Sequence, residues 1–366
     1  MAIQWADNFT RYGLGSGSNT AMLSGLPYSA LDRGGSGGDC VRDPDLLLPD
    51  TARAFRVGFS GNYIDSFRIA LPTPLIAGET IGMLARYWLS ELPPGNNQRT
   101  CISEFCLLDP RDRRVRVVVE PNGALAAYSG FRSSDLVLVA STVVPVISPQ
   151  SWNHIETVVD TGDGSGAVYV NGVQRLSWDA DADVAGSVYI THINVTLSSN
   201  SGFPALYIKD FVIWDSTGSN NNTVMGTVIV RRLKPNGDNT LGGWTPSTGA
   251  TGFNLLAKDA PNDATFLSGD DTPPAAMIFN LENLPPDITS VRGLLPVVRM
   301  RKIDGGDANV QNALSPNGID WDTGADRPIT TAFTYYFDVS ELDPDTGLSW
   351  TPVSVDSTDI RINRTI

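Results

Sequence analysis

The sequence has few of the residues that most often bind metals or act as catalysts, with only two histidines and three cysteines among 366 residues. His154 and His192 lie far along the chain from Cys40, Cys101 and Cys106, and no Cys-x-x-Cys spacing occurs, so a zinc site is disfavoured. An odd cysteine count without a secretory context indicates reduced thiols buried in strands, with a Cys101–Cys106 bridge as the alternative.

Long apolar runs and basic residues are also scarce. The longest apolar run, from Leu136 to Ile147, is too short for a membrane helix of roughly 20 residues. The first eight residues show no basic head, apolar centre or cleavage site, so we expect a chain made in the cytoplasm and not exported by the usual signal. With 26 basic and 40 acidic residues the net charge is -14, which disfavours nucleic acid and anionic lipid as partners.

Turn-forming residues are abundant, with 35 glycines and 24 prolines, and no stretch keeps a helical period for long. Short β-branched and aromatic segments alternate with turns at Asn122-Gly123, Asn171-Gly172, Asn236-Gly237 and Asn317-Gly318. This pattern predicts an all-β fold of two packed antiparallel sheets. The predicted strands are 115–120, 123–128, 135–140, 154–160, 167–171, 186–197 and 206–214, followed by 227–233, 276–281, 288–300, 330–339 and 359–362.

The sequence also predicts one β-hairpin and one domain boundary. The strand 152–160, the Gly-rich loop 161–166 and the strand 167–171 predict a hairpin with a well-specified register. The polar stretch 216–223 is too poor in apolar residues to be core. We therefore expect a first domain over residues 1–216 and a smaller β-rich assembly or docking domain over residues 217–366.

The predicted hairpin carries a resemblance to a known fold. Trp152-Asn-His-Ile-Glu-Thr-Val-Val-Asp160 followed by Gly166-Ala-Val-Tyr-Val-Asn-Gly-Val173 resembles the laminin-G/concanavalin A-like jelly roll, in which a Trp-x-His strand runs into a hairpin ending in Val-Asn-Gly. The resemblance implies a jelly-roll sandwich for the first domain, and it implies that His154 is that family's strand histidine, packed against the hairpin.

Five further segments resemble, in their order along the chain, a group of tailed-bacteriophage virion proteins. The segments are Trp5-Ala-Asp-Asn-Phe-Thr-Arg-Tyr12, Ile208-Lys-Asp-Phe-Val-Ile-Trp-Asp215, Gly226-Thr-Val-Ile-Val-Arg-Arg-Leu-Lys-Pro-Asn-Gly-Asp238, Trp244-Thr-Pro-Ser-Thr-Gly249 and Asp343-Pro-Asp-Thr-Gly-Leu-Ser-Trp-Thr351. The resemblance implies a non-enzymatic structural protein of the virion, assembled in the host cytoplasm, homo-oligomeric and in contact with other virion proteins. A tail or fibre-like appendage is favoured, with contact to host-surface glycan as a further expectation. A capsid decoration or head-fibre protein, a polysaccharide depolymerase and a free lectin are the alternatives.

Two kinds of binding site are candidates. Asp160, Asp163, Asp179, Asp181 and Asp183 offer carboxylate oxygens for Ca²⁺, and the alternative is a solvated acidic loop, since no calcium-loop spacing is met. Asp259, Asp263, Asp270 and Asp271 invite the same interpretation and the same alternative. Trp178 beside Asp179, and Trp244 in a Gly-rich loop, are candidates for stacking on a sugar, and the alternative is core or subunit contact.

Catalytic residues are not predicted. Jelly-roll glycosidases resemble one another in a Glu-x-Asp-x-x-Glu or Glu-x-Asp-x-Glu strand, which this sequence lacks, and Glu104 stands alone in its segment. No Gly-x-Ser-x-Gly elbow accompanies either histidine. The one basic cluster, formed by Arg111, Arg113, Arg114 and Arg116, is expected either to meet an acidic neighbouring subunit or to solvate a turn.

Overall fold

The structure, a computed structural model, describes residues 3–8, 28–33, 41–42, 54–57, 64–70, 78–93, 99–107, 113–130, 137–179, 190–198, 206–258, 263–269 and 276–365. The fold is all-β, as predicted. The chain divides into two compact units between Val230 and Arg231, beyond the predicted boundary at residue 216. No helix in the described part of the chain has the length and apolar character of a membrane span.

The first unit is built from two antiparallel sheets. Its strands are β1 (Ile3–Asp7), β2 (Tyr28–Arg33), β3 (Val41–Arg42), β4 (Ala54–Val57), β5 (Ile64–Ala70), β6 (Thr80–Leu89), β7 (Thr100–Leu107), β8 (Arg113–Val119), β9 (Leu125–Gly130), β10 (Val137–Ser141), β11 (Trp152–Asp160), β12 (Gly166–Val170), β13 (Val173–Trp178), β14 (Ile190–Ser198) and β15 (Leu206–Asp215). Sheet A has the order β13-β12-β11-β6-β15-β4-β3, with β1 also paired to β15. Sheet B has the order β10-β9-β8-β7-β14-β5-β2.

The two sheets pack face to face as a sandwich. The hydroxyl of Tyr87 in sheet A donates to the carbonyl of Ile102 in sheet B at 2.9 Å, and the hydroxyls of Thr157 and Ser103 lie 3.0 Å apart across the same interface. The chain runs from β6 in sheet A through β7–β10 in sheet B, back through β11–β13, and finally through β14 to β15. This alternation between sheets is the expected jelly-roll sandwich. Its core includes the fully buried rings of Trp5, Phe105 and Phe211.

The predicted hairpin is confirmed. β11 pairs with β12 from Ile155 opposite Val170 to Val159 opposite Gly166. The turn that follows β12 holds Asn171 at φ 51° and Gly172 at φ 78°, the two positive values that a tight type I′ turn requires. Local sequence therefore sets this part of the sheet.

The second unit is also β-rich, with short strands and two helices of one turn each. Its elements are β16 (Pro235–Thr240), β17 (Thr245–Pro246), α1 (Gly252–Leu256), β18 (Leu267–Ser268), β19 (Met277–Leu281), β20 (Val297–Met300), β21 (Asn309–Ser315), β22 (Asp322–Thr323), β23 (Arg327–Pro328), β24 (Thr334–Phe337), α2 (Pro352–Asp356) and β25 (Asp359–Thr365). The main sheet has the order β16-β19-β25-β21-β22, and β23 also pairs with β21.

Side chains from many segments close the core of the second unit. Trp244, Phe279 and Trp350 are buried together with aliphatic residues of β19, β21 and β25. The carboxylate of Asp238 accepts hydrogen bonds from the first backbone amides of α1, at 2.9 and 2.6 Å. These amides have no partner within the helix, so the acid caps it.

Two local predictions in and near the second unit are wrong. Asn236-Gly237 lies inside β16 rather than in a turn, and the register of β16 shifts at this point. Residues 227–233, predicted as a strand, form no strand. Within this segment the amide of Val230 donates to the Asp210 carboxylate and not to a strand partner.

Cys101 is a buried residue of β7, and its sulfur lies 3.4 Å from the carbonyl oxygen of Ser103. The reduced state of the cysteines stays a prediction. Cys40 lies outside the described residues.

Candidate functional site

The outer face of sheet A carries two rows of aromatic and charged side chains at its centre. Trp152 on β11, Trp88 on β6 and Tyr207 on β15 are register partners, and so are His154, Arg86 and Lys209 on the same three strands. Register partners project from the same face of a sheet, so these six side chains form one group, the aromatic–cationic cluster.

Ring contacts hold the aromatic–cationic cluster together. The rings of Trp88 and Tyr207 meet edge to face, with centroids 5.5 Å apart. The Lys209 ammonium lies 4.2 Å from the ring centre of Trp152, and the Arg86 guanidinium lies 5.5 Å from it. Cations at these distances are attracted by the negative face of an indole. Trp152 therefore helps to compensate for the burial of two positive charges.

A buried carboxylate neutralises the guanidinium of the cluster. Asp210 forms an ion pair with Arg86, and the side chains are 3% and 12% exposed, respectively. Asp210 lies at a register shift of β15 with φ 51°, a left-handed conformation that non-glycine residues rarely adopt. Burial raises the pKa of Asp210, while the nearby charges of Arg86 and Lys209 oppose that rise. The bulge thus places a charged side chain at the middle of the sheet.

His154 is a neutral member of the cluster. Burial and the positive charge of Arg86 lower the pKa of this histidine to about 4. Its Nδ1 atom is buried without a hydrogen-bond partner among the described residues, so the orienting acid of a Ser-His-Asp triad is not in place there. The backbone of His154 exchanges hydrogen bonds with Asn171 at the hairpin turn, at 3.0 and 2.8 Å. These contacts involve the backbone of His154, so the packing of its ring against the hairpin stays a prediction.

A second buried carboxylate, Glu156, lies two residues further along β11. Its oxygens accept hydrogen bonds from Trp214 Nε1 at 2.8 Å, from the amide of Met225 at 2.9 Å and from the amide of Gly226 at 3.0 Å. The residue is 1% exposed, so these donors compensate a charge that water does not reach.

Glu156 and Asp210 together fasten one segment of backbone to the outer face of sheet A. We call residues 216–230 the strap. Glu156 binds the strap near its middle, and Asp210 accepts a hydrogen bond from the amide of Val230 at its end, at 3.0 Å. The side chain of Asn8 donates to the carbonyl of Val230 at 3.2 Å. Because these contacts are made within the first unit, the strap belongs to that unit.

Sheet B also uses its buried acid as an ion-pair partner. Glu104, 1% exposed on β7, contacts Arg116 on β8 at 2.7 Å. Arg116 is the one member of the predicted basic cluster whose side chain the structure describes, and it contacts an acid of its own chain. Arg111 lies outside the described residues, while Arg113 and Arg114 lie on β8.

A further group lies at the end of β9. The hydroxyl of Tyr128 donates to Glu120 at 3.1 Å, and Arg99 contacts the same carboxylate at 3.0 Å. The Arg99 guanidinium also lies 4.8 Å from the Tyr128 ring centre. Burial and the negative charge of Glu120 raise the pKa of Tyr128, so the phenol stays protonated at neutral pH.

The candidate sugar-stacking tryptophans are buried. Trp178 is 6% exposed and covers Gly166, where a Cβ atom would overlap the indole, and its Nε1 donates to the carbonyl of Gly164 at 2.8 Å. Trp244 is 9% exposed in the core of the second unit. The expectation of exposed rings is therefore wrong for both residues, and the core alternative describes them. Asp179 is exposed at the end of β13.

The candidate calcium ligands are spread over the hairpin loop and beyond it. Asp160 Oδ1 accepts from the amide of Gly162 at 2.7 Å, and Asp163 Oδ1 accepts from the amide of Ser165 at 2.8 Å. Both acids thus shape the loop between β11 and β12. The described residues contain no group of three or more acids, histidines or cysteines suited to a metal ion.

Of the remaining calcium candidates, the structure describes the contacts of Asp263 alone. Asp263 pairs with Arg299. The others, Asp181, Asp183, Asp259, Asp270 and Asp271, lie outside the described residues.

Sequence reasoning missed the residues that organise this face, namely Glu156, Arg86, Lys209 and Asp210. One signal was present in the alternation of Trp152, His154 and Glu156, since residues two apart on a strand share a face. The partners of Glu156 lie 58 to 70 positions away, which no local pattern indicates.

Chemically, this arrangement neutralises buried charge and fixes backbone. The carboxylates of Glu104, Glu156 and Asp210 accept from arginine, indole or amide donors, and His154 carries no charge at neutral pH. A general acid or base has to exchange a proton with a substrate. In this structure the three acids accept hydrogen bonds from groups of the fold itself.

Comparisons with known proteins identify no family for the chain. Neither the protein-family models nor the curated proteins give a match. Among solved structures, the chain is similar to an endo-β-1,4-glucuronan lyase from the fungus Trichoderma reesei, with 13% identity and a TM-score of 0.39 over 52% of this chain and 93% of that one.

Two further solved structures are similar over about half of the chain. A protein with a galectin-like fold from Bacillus subtilis has 16% identity and a TM-score of 0.32, over 44% of this chain and 82% of that one. The receptor binding domain of a botulinum neurotoxin of C/D mosaic serotype has 13% identity and a TM-score of 0.34, over 51% and 47%. Likenesses this distant leave the function to be argued from the chain itself.

Proposed function

We propose that this chain is a non-enzymatic structural component of a bacteriophage virion, in the tail or a fibre-like appendage, assembled in the host cytoplasm. The proposal starts from the five segments between Trp5 and Thr351 that resemble, in order, a group of tailed-phage virion proteins. Homo-oligomers and contacts with other virion proteins follow from the same resemblance.

The structural observation that carries the proposal is the use made of the buried carboxylates. Glu156 and Asp210 hold the strap, and Glu104 holds Arg116, so the polar groups in the sheets fix the scaffold. Such a scaffold presents loops and edges to neighbours, which is the task of a structural component. A depolymerase would instead need an acid and a base that are free to exchange protons with a polysaccharide.

Contact with host glycan is part of the proposal, but it is not assigned to Trp178 or Trp244, because both rings are buried. A binding measurement between the purified chain and host-surface polysaccharide tests this part separately. Saturable binding would support it, and no binding at millimolar saccharide would remove it while leaving the virion role intact.

Mass spectrometry of purified particles, with heads and tails separated, tests the proposal as a whole. Copy number is measured against the major capsid protein in the same sample. A fixed copy number in the tail fraction is expected, whereas many copies in heads would favour the capsid-decoration or head-fibre alternative. Absence from both fractions, together with cleavage of host polysaccharide by the free chain, would replace the proposal with the depolymerase.

A further inference from the structure

An exposed apolar strip runs along one edge of the sandwich. On β10, Val137, Leu138 and Val139 are 65%, 51% and 37% exposed. In the loop that follows, Val143 and Val144 are 95% and 61% exposed. We call residues 137–144 the edge patch. Five large apolar side chains that face solvent within eight residues are unusual on the surface of a monomer.

The edge patch lies where sheet B ends. β10 is the terminal strand of sheet B, and among the described strands it pairs with β9 alone. β13, the terminal strand of sheet A, lies next to it and adds Val173, which is 50% exposed. Terminal strands of monomers are usually guarded by charged residues or proline. The edge patch has no such residue.

The register of β10 indicates how a partner would contact it. Pairing with β9 shifts between Leu138 and Ala140, so Val139 is the extra residue of a bulge. A bulge interrupts the ladder and twists the strand, which disfavours a long continuous sheet across two molecules. Side-chain packing is therefore the main contact that the edge patch offers.

Charge indicates which partner fits. The chain carries a net charge of -14, so two copies repel each other over most of their surface. Between Asp135 and Glu156, however, the sequence contains no aspartate, glutamate, lysine or arginine. A second copy brings the same uncharged segment to this edge, so the segment itself has no ionic group to desolvate.

The exposed area is also of the right order. The six exposed apolar side chains present roughly 500 Å² together, against about 800 Å² per partner in a standard interface. Polar backbone and the rim of the edge supply the remainder.

We propose that the edge patch binds the same patch of a second copy of this chain about a twofold axis. In such an isologous contact each patch is its own complement, and Val143 and Val144 of one copy pack against the exposed β10 side chains of the other. The inference names the surface for the homo-oligomer that the proposed function expects. It is nonetheless measured on the purified chain, independently of any particle.

The test compares two substitutions that add the same charge at equally exposed positions. Val143→Asp alters the edge patch, and Ile303→Asp, at a residue 90% exposed in the second unit, is the matched control. The mass of the full chain is followed over a dilution series by sedimentation equilibrium, with circular dichroism to show that both variants fold.

We expect the unaltered chain and Ile303→Asp to dimerise with a dissociation constant of about micromolar order. Val143→Asp should weaken dimerisation about 100-fold or more, since each new carboxylate would be buried against the apolar β10 side chains of the other copy. A chain that stays monomeric at about 100 µM overturns the inference. So does a Val143→Asp variant that dimerises like the control, or binding of the patch to vesicles or to another protein while the chain itself remains monomeric.

The outcome is separable from that of the proposed function. A chain that dimerises through the edge patch but is missing from particles keeps this inference and loses the virion role. A chain found in tails that is monomeric in solution keeps the virion role and loses this inference.

Discussion

Replacement of Glu156 by glutamine should loosen the strap and destabilise the first unit. Glu156→Gln keeps one acceptor oxygen, which still serves Trp214 Nε1 and the amide of Met225, while the new amide group faces the amide of Gly226. One charge-assisted hydrogen bond is lost, at about 1.5–3 kcal/mol, and two others become neutral and weaker. Because the neutral glutamine costs less to bury than the carboxylate, part of this loss is offset, and the free energy of unfolding should fall by about 2 kcal/mol in total.

Two measurements check this value. The free energy of unfolding is obtained from urea titration followed by tryptophan fluorescence, and hydrogen exchange is followed in a peptide covering residues 222–230. Protection of the Gly226 amide should fall about 30-fold if the strap opens at a free energy about 2 kcal/mol lower. Glu91→Gln, at an exposed acid of the same unit, should change stability by less than about 0.5 kcal/mol.

The reasoning would be refuted by a Glu156→Gln variant that unfolds at the same urea concentration as the unaltered chain and shows the same exchange in residues 222–230. Loss of stability without faster exchange there would also contradict it. In that case the Glu156 carboxylate would stabilise the sheet without holding the strap.

Three further predictions concern buried charge and close packing. Because the pKa of His154 is lowered to about 4, the unfolded chain binds a proton more readily than the folded chain between about pH 4 and 6.5. The free energy of unfolding should therefore fall by about 1 kcal/mol as the pH drops through this window, a value discounted for the partial exposure of the ring. In thermal melts, His154→Gln should make this fall smaller. Gly82→Ala should cost about 3 kcal/mol in urea titration because its Cβ would overlap a buried indole, whereas Gly305→Ala, with open space around it, should be within about 0.5 kcal/mol of neutral. Arg86→Met should cost about 3 kcal/mol by leaving Asp210 without its ion-pair partner, and adding Asp210→Asn should restore part of that loss; equal losses in the single and double variants would contradict the pairing.

The fold class and one hairpin were predictable because their signals are local. The Gly-rich loop after β11 lets β11 and β12 pair, and Asn171-Gly172 supplies the two adjacent positive-φ residues of the tight turn between β12 and β13. The same dipeptide at Asn236-Gly237 led to a wrong turn prediction, because these residues lie in β16, which pairs with β19. Tertiary pairing overrides turn preference when a partner strand is present.

The boundary region was harder to predict for a related reason. Residues 216–223 are polar enough to read as a linker, and residues 227–233 are β-branched enough to read as a strand. The backbone between and within these segments is held at Gly226 and Val230 by Glu156 and Asp210, acids of earlier strands. Composition reports what a segment prefers alone, and it does not report which distant acceptor its amides will find.

Side-chain exposure was the part of the candidate site that the sequence could not supply. Trp178 lies beside charged residues in the sequence, yet alternation places it on the same side of β13 as buried Leu176. Gly166 then leaves room for the indole. The space that receives a ring is made by another strand, so it becomes visible only once the strands are paired.

The strap also decides where the chain can be cut. A fragment that stops at residue 216 would keep Glu156 and Asp210 inside the sheet but lose the amides of Met225, Gly226 and Val230 that these acids bind. Each acid would then lose part of its set of hydrogen-bond donors, and such a fragment should express poorly or aggregate. A fragment that continues to residue 230 retains those donors, so attempts to isolate the sandwich should use the later end.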